Sequence, residues 1–397
     1  MKQNRWGVFL LFLISVLPLW GQNYMFKHLE VKDGLSNNQV TVILRDSEGF
    51  MWFGTASGLN RYDGYEIKVY RNREGDPNTL PDNYISGIQE DRGGRLWVRT
   101  GSGYSVYHPD TDRFDNDLEG WLWKAGISGS LSRIYIDREK TYWIYVAGKG
   151  LYRYRGGEEG AVIVPVPAGR PGEAEIMKMA EYAGGILLVY GDGLLTCVDK
   201  QSLNVRWTTD GITQDVGGGL SNDYDLFADR EGRIWIYGVM GTWVYRPDDN
   251  QWRWRSLREV SGDVVRAVAQ DKYGRIWVGY DQNGIRILEN GETCQVLVNN
   301  PDDPRSLPNN TVTALYEDGE GTLWVGLYKK GLSYYNESIF KFGMYDVGDV
   351  NCVEEGNDGT VWLGMNGTGL MHWNMQTGER RMFTRGQGGQ SISGDVV

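Results

Sequence analysis

Asp46-Ser47-Glu48-Gly49-Phe50-Met51-Trp52-Phe53 decides the reading of this chain, because the chain keeps repeating it. Written as Asp-x-x-Gly-x-Φ-Trp-Φ, with Φ apolar, the phrase returns at residues 91–98, 229–236, 271–278 and 318–325. Looser copies end at Trp143, where Lys140 replaces the glycine, and at Trp362, where Gly356 takes the aspartate slot. A degenerate copy has Leu187 in place of tryptophan, with Gly184 still three residues ahead of it. Successive tryptophan positions lie 45, 46, 44, 48, 42, 47 and 38 residues apart. A period in the forties, with strand-like text inside each unit, predicts a β-propeller rather than a string of independent domains.

Each unit reads as four strands. Strand a is apolar and alternating, as in residues 40–44 and 312–316. The Asp-x-x-Gly stretch turns the chain, since Asp accepts local backbone hydrogen bonds and Gly tolerates positive φ. Strand b carries the tryptophan among large apolar neighbours, the pattern of a buried strand. A Gly-rich turn and strand c follow, and an aromatic strand d closes the unit, as in residues 65–70 and 252–257. One large ring per unit, at Trp52, Trp97, Trp143, Trp235, Trp277, Trp324 and Trp362, is expected to fill the space between adjacent sheets. Truncating one should cost roughly 3–5 kcal/mol, as for other buried aromatics.

The 397 residues include 55 Gly, 16 Trp, 24 Tyr and only 11 Pro, which suits many short strands joined by tight turns. A formal net charge of −11, with no basic stripe, argues against nucleic acid as a partner. Lys2 and Arg5 precede an apolar run over residues 6–17, and Gly21 offers a cleavage point. Residues 1–21 therefore read as a secretory signal peptide, the alternative being an uncleaved anchor. Cys197, Cys294 and Cys352 share no metal-type spacing and are expected as small buried groups on strands. His28, His108 and His372 are too scattered for a metal site, and no nucleophile-elbow, zincin or phosphate-loop motif appears. No catalytic residue, metal or cofactor is assigned.

Residues 25–31 resemble a strand d standing ahead of the first complete unit. Pairing it into the last sheet would close a ring and remove exposed edges. The expected architecture is all-β: a seven-bladed propeller of four-stranded antiparallel blades over residues 22–338, closed by that strand. Residues 339–345 then form a surplus strand, and residues 339–397 are the first blade and partial next strand of a second propeller. A single eight-bladed ring is the alternative.

The repeated phrase, with Gly-Leu-Asn-Arg-Tyr-Asp-Gly at residues 58–64 and Asp-Gly-Leu-Ser-Asn-Asn at residues 33–38, resembles two-component regulator propeller repeats. That resemblance covers nearly everything after residue 21, and is weakest in the fourth unit. It implies the periplasmic sensor part of a hybrid two-component system, which detects oligosaccharides released from complex polysaccharides and signals as a homodimer. In such proteins two seven-bladed propellers precede a β-sandwich, a transmembrane helix and a histidine kinase. No kinase motif lies in these residues, so the chain itself is not read as an enzyme. Membrane attachment would come only through further C-terminal parts or an uncleaved N-terminal segment.

The b–c turns and d–a connections should gather on one face around a central funnel. Arg99, Tyr145 and Tyr237 stand in strand b where other units have Gly54, Gly279, Gly326 and Gly364, and Tyr280, Asp281, Tyr328 and Lys329 lie near the same turns. Together they are the candidate ligand residues: an aromatic platform with charged neighbours can stack a sugar and bond its hydroxyls. The competing reading is that they plug the channel or line its solvated rim. Trp121 and Trp123 are expected in edge packing around the second strand d. Two other functions stay open. One is an exported scaffold; the other is a propeller glycosidase or lyase, which would need two facing carboxylates outside the repeated turn aspartates.

Overall fold

A computed structural model describes residues 24–166, 175–215, 223–247, 252–256 (as backbone), 264–338, 347–356, 359–375, 377–386 and 391–397. Residues 1–21, read as a signal peptide, and residues 339–345, read as a surplus strand, lie outside the described residues. The chain divides into two compact units, Met1–Ile339 and Phe340–Val397.

In the first unit the repeat becomes a four-stranded antiparallel sheet. Sheet one orders Val40–Arg45, Met51–Thr55, Gly58–Tyr62 and Ile67–Tyr70 side by side as strands a to d. Five further sheets repeat that order. The seventh takes strands a to c from Val312–Glu317, Leu323–Leu327 and Leu332–Tyr335, and its fourth strand is the N-terminal Lys27–Leu29. Lys27, His28 and Leu29 pair with Tyr334, Ser333 and Leu332. His28 Nδ1 lies 2.8 Å from Ser333 Oγ and its Nε2 lies 3.0 Å from the Pro304 carbonyl. Tyr24 and Phe26 are buried beside this strand, Tyr24 edge-on to Trp277 at 5.2 Å. Each sheet touches the next, mostly through the innermost strands, and Val312–Glu317 touches Val40–Arg45, so the contacts close on themselves.

The repeated phrase is a hydrogen-bond clamp. One oxygen of each aspartate accepts the main-chain N–H four residues on, and the other accepts the tryptophan indole N–H six residues on. The indole distances are 2.6 Å for Trp52, 3.2 Å for Trp97, 3.1 Å for Trp143, 2.9 Å for Trp235 and Trp277, and 3.2 Å for Trp324. All six rings are buried. The turn glycine sits at positive φ, for example +95° at Gly49, and Lys140 adopts +62° in the same slot without being glycine. The glycine of strand b serves close approach instead. A Cβ at Gly54 would lie 2.5 Å from Val42 Cγ1 and 2.6 Å from Ile85 Cγ2 of the next sheet.

Two local expectations are corrected. Strand d of the second sheet is only Arg113–Asp115, and Leu118–Lys124 then forms a short helix with Asp117 at its N-cap. Trp121 from that helix covers Trp97 at 4.7 Å, while Trp123 is exposed. Of the cysteines, Cys197 is buried, but Cys294 and Cys352 are exposed. Cys294 stands on an outermost strand, Glu292–Leu297, whose pattern is largely exposed.

Among the described residues the second unit holds one four-stranded sheet, Val350–Glu355, Thr360–Met365, Gly369–Asn374 and Arg380–Phe383. Leu363, Met365, Met371 and Trp373 form its buried cluster. Trp362 is half-buried and lies against His372, with ring centroids 4.1 Å apart.

Candidate functional site

Turns and connections meet on one side of the sheets of the first unit, because main-chain bonds tie them together. The Gly58 N–H donates to the Asn83 carbonyl, Gly284 to Asn310, and Gly331 to Asn38, each at 2.7 Å. The longer connections are stapled internally as well. Asn72 donates its side-chain amide to the Leu80 carbonyl at 2.6 Å, and Asn299 does the same to Leu307 at 2.7 Å.

The seven candidate residues do not share one surface. Tyr145, Tyr237 and Tyr280 are 9%, 6% and 5% exposed and pack between neighbouring sheets. At Tyr145 and Tyr237 a phenol ring occupies the space that the strand-b glycine leaves elsewhere, and packs with the first strand of the next sheet, whereas Tyr280 follows Gly279 and packs toward Tyr237 of the sheet before it. These rings therefore offer no open stacking platform. Asp281 accepts from Arg266 at 3.1 Å, and Arg266 also lies 3.7 Å from Asp223, so this acid belongs to an inter-sheet bridge. Tyr328 and Lys329 are exposed, with the Lys329 ammonium 4.9 Å from the Tyr328 ring centroid.

Arg99 lines a cavity. That cavity, of about 220 Å³, lies at the innermost strands of sheets one to four. Its walls come from Val42, from residues 86–89, 133–135 and 177–179, and from Arg99 and Tyr104. Register explains the arrangement. Opposite the strand-b position stand Val42, Gly87, Arg133, Lys178, Asp225, Ala267 and Ala314 in sheets one to seven. Sheets six, seven and one are small or apolar at this level, whereas sheets three to five are charged. Gly87 faces Arg99 across the pair, and a Cβ there would come within 3.3 Å of Arg99 Cβ.

Most polar atoms around the cavity are already bonded. Gln89 donates to the Ile134 carbonyl at 2.8 Å and accepts from the Ile136 N–H at 2.7 Å. The hydroxyl of Tyr104 accepts from the Ile134 N–H at 3.4 Å, and that of Tyr135 from the Glu181 N–H at 3.1 Å. Lys178 pairs with Asp225 at 2.9 Å. Arg133 donates to the carbonyls of Ser132 at 2.8 Å and Met177 at 3.3 Å. Burial, and then the charge of Arg99, lower the Arg133 pKa, opposed by the weaker pull of Glu175. Arg133 and Lys178 were not among the candidates. The signal that would have found them is the comparison of strand-a residues at equivalent register, which needs the bulge positions.

A second cavity, of about 310 Å³, lies on the outer strands of sheets one and two, between Lys68, Arg71, Arg73 and Asp112. Its acids are engaged: Asp112 accepts from Lys68 at 2.6 Å, Tyr70 at 2.8 Å and Tyr107 at 2.9 Å, and Asp76 accepts from the Asn78 N–H at 3.0 Å. Among the described residues no cluster of His, Cys, Asp and Glu is arranged to hold a metal, and no helix is long and apolar enough to cross a membrane.

Comparison with known proteins places the repeat. Residues 34–57, 79–102, 259–282 and 306–329 match the two component regulator propeller family model. These segments run from the connection ahead of strand a to the b–c turn in sheets one, two, six and seven. Histidine kinase P4 of Formosa agariphila is 38% identical over 78 residues, which are 19% of this chain and 6% of that protein. The extracellular domain of a hybrid two component system from B. thetaiotaomicron has a TM-score of 0.62 at 20% identity, covering 91% of this chain and 49% of that one. A virginiamycin B lyase from Staphylococcus aureus has a TM-score of 0.55 at 10% identity, covering 79% of this chain and 99% of that one. At such identities the solved structures share the fold, and this chain spans about half the length of the extracellular domain.

Proposed function

We propose that this chain is the extracytoplasmic recognition region of a two-component sensor, responding to polysaccharide-derived oligosaccharides and signalling to transcription through a kinase in a longer protein. The observation that carries this reading is the match of four segments to two component regulator propeller repeats, in register with the sheets. The short stretch of identity with a histidine kinase supports it. On this reading residues 1–21 direct export to the periplasm, and the complete protein acts as a membrane-anchored homodimer.

Residues 22–338 form the first ring, and residues 339–397 begin a second. Support for the second ring lies in the last residues. The Gly369 N–H donates to the Asp395 carbonyl at 2.8 Å, the equivalent of the bond that ties the b–c turns of sheets one, six and seven to the connection before the next sheet. Val396 then bridges Asn366, where a following strand a would start.

The functional test is a thermal-unfolding screen of the full chain against oligosaccharides cut from plant and algal polysaccharides. A ligand at 100 times its Kd adds about 2.7 kcal/mol of stability and should raise the midpoint visibly. If none shifts the midpoint, the sensor reading loses to the scaffold reading. For the ring boundary, a chain ending at Ser338 should stay soluble and melt cooperatively. Insolubility of that shorter chain would favour a single eight-sheet ring.

A further inference from the structure

The inner cavity of sheets one to four has a charge pattern that the fold does not require. Sheets one, six and seven build the same level from Val42, Ala267 and Ala314 against glycine. In their place this side of the ring puts Arg99 and Arg133 on one cavity with Lys178. Packing alone is served by small apolar residues, so the substitution of two guanidiniums needs another account.

Their pairing state supplies it. Lys178 has a counter-ion in Asp225, but among the described residues neither Arg99 nor Arg133 is in ion-pair contact with a carboxylate. Arg133 spends two donors on carbonyls, and the Arg99 guanidinium donates to no described residue. Glu175 acts on Arg133 only from a distance. Two half-buried cations facing one cavity repel each other, and an anion between them would relieve that repulsion. Guanidiniums meet carboxylate and sulfate oxygens with paired, charge-assisted hydrogen bonds. At about 220 Å³ the cavity has room for one sugar ring or its acidic substituent.

We propose that this cavity binds the carboxylate or sulfate group of a small ligand, held between Arg99 and Arg133 with Tyr104 and Tyr135 as the apolar walls. The site stands on its own geometry. Only the choice of a sugar as the carrier rests on the sensor reading.

The test is calorimetric titration of the full chain, in chloride buffer, with D-galacturonate, galactose 6-sulfate, neutral D-galactose and sodium sulfate. At least one acidic sugar should bind, neutral galactose should not, and Arg99→Gln or Arg133→Gln should each weaken binding tenfold or more. Added salt should weaken it too. Arg99→Gly serves as the folding control, because glycine stands at that position in sheets one, six and seven. It should melt like the parent and still lose the ligand. Binding of sodium sulfate alone, abolished by Arg99→Gln, would uphold the anion site and remove the sugar carrier. Equal binding of galactose and galacturonate, unchanged binding by the Arg99 and Arg133 variants, or no binding of any probe overturns the proposal.

Discussion

Replacing Asp91 with alanine should cost more than the same change at Asp46, the aspartate that opens the first copy of the repeated phrase. The Asp91 carboxylate is 1% exposed and gathers bonds from three places. One oxygen accepts the N–H groups of Gly93 and Arg95 at 2.8 and 3.1 Å, which hold the turn. The other accepts Arg95 Nε at 2.8 Å, Trp97 Nε1 at 3.2 Å and the Tyr142 hydroxyl of the next sheet at 3.0 Å. Alanine would strand the buried Trp97 and Tyr142 donors, at about 1–3 kcal/mol for each unsatisfied group. It would also leave Arg95 without its partner. These losses share one network and do not add fully, so about 3–5 kcal/mol is expected. Asp46 makes only the Phe50 and Trp52 bonds of the clamp, so Asp46→Ala should cost less, about 2 kcal/mol.

Acid adds an independent signature. Burial alone would raise the Asp91 pKa, but the bonds and charge of Arg95, with Trp97 and Tyr142, outweigh it and hold the carboxyl below its usual value. A carboxylate depressed in the folded state stabilises above its unfolded pKa of about 3.9, and that stability is lost as pH falls through the lower folded value. The parent should therefore lose stability more steeply than Asp91→Ala below about pH 4. Urea unfolding followed by tryptophan fluorescence, at pH 7 and along an acid series, measures both effects. A cost under about 1 kcal/mol with an unchanged m-value, or a larger cost for Asp46→Ala, would refute the clamp reasoning.

Other changes separate further parts of the structure. Lys200, its side chain 5% exposed, lies 3.1 Å from Asp137 and 3.0 Å from both Glu139 and Glu181. Lys200→Met leaves three acids facing one another and should cost about 3 kcal/mol by urea unfolding, the exposed Glu139 arm counting least. Burial lowers the His28 pKa, against the pull of the Pro304 carbonyl, so protonation favours release of the closing strand. The stability from neutral His28 is present above the unfolded pKa of about 6.5 and declines as pH falls toward the folded value. The protection factors of the amides of residues 26–29, corrected for the slower intrinsic exchange in acid, should fall between pH 7.5 and 5 in the parent and not in His28→Gln; an equal fall in both removes His28 as the cause. A Cβ at Gly279 would lie 2.5 Å from Val312 Cγ1, so Gly279→Ala should destabilise by about 1–3 kcal/mol while Arg99→Gly is tolerated. Comparable melting of the two variants would deny the close-approach role of the strand-b glycine.

What the sequence makes legible here is what is local and repeated. The Asp–Trp spacing of six encodes a bond inside one turn and strand, so reading a single unit suffices to place the strands around it. The closing strand was also accessible, because residues 25–31 look like a strand d without a sheet of their own. The helix Leu118–Lys124 was not, since Trp121 and Trp123 alternate as strand residues would, and only their packing separates one buried face from one exposed. Tyr145 and Tyr237 were visible as departures from glycine, but the direction in which they fill space depends on the neighbouring sheet. Arg133 and Lys178 were hidden for a related reason. Their equivalence to Val42 and Ala267 passes through bulges in the pairing of strands a and b, which shift the count by one residue in most sheets but not in the third or the fifth.

The units that match the repeat and the units that depart from it divide the work of the molecule. A ring needs each sheet to offer its neighbours the same two faces, which explains why sheets six, seven and one keep the clamp, the strand-b glycine and small inner residues. A ring made only of such sheets would have a bland interior and nothing with which to tell one ligand from another. Charge at the inner edge enters where a unit departs from the pattern, as Arg99, Arg133, Lys178 and Asp225 do in consecutive sheets. Local rules are broken most where a protein has a use for the exception. By that argument the place to look for recognition in this ring is the cavity of its irregular side, and a ligand found on the regular side, against sheets six and seven, would count against it.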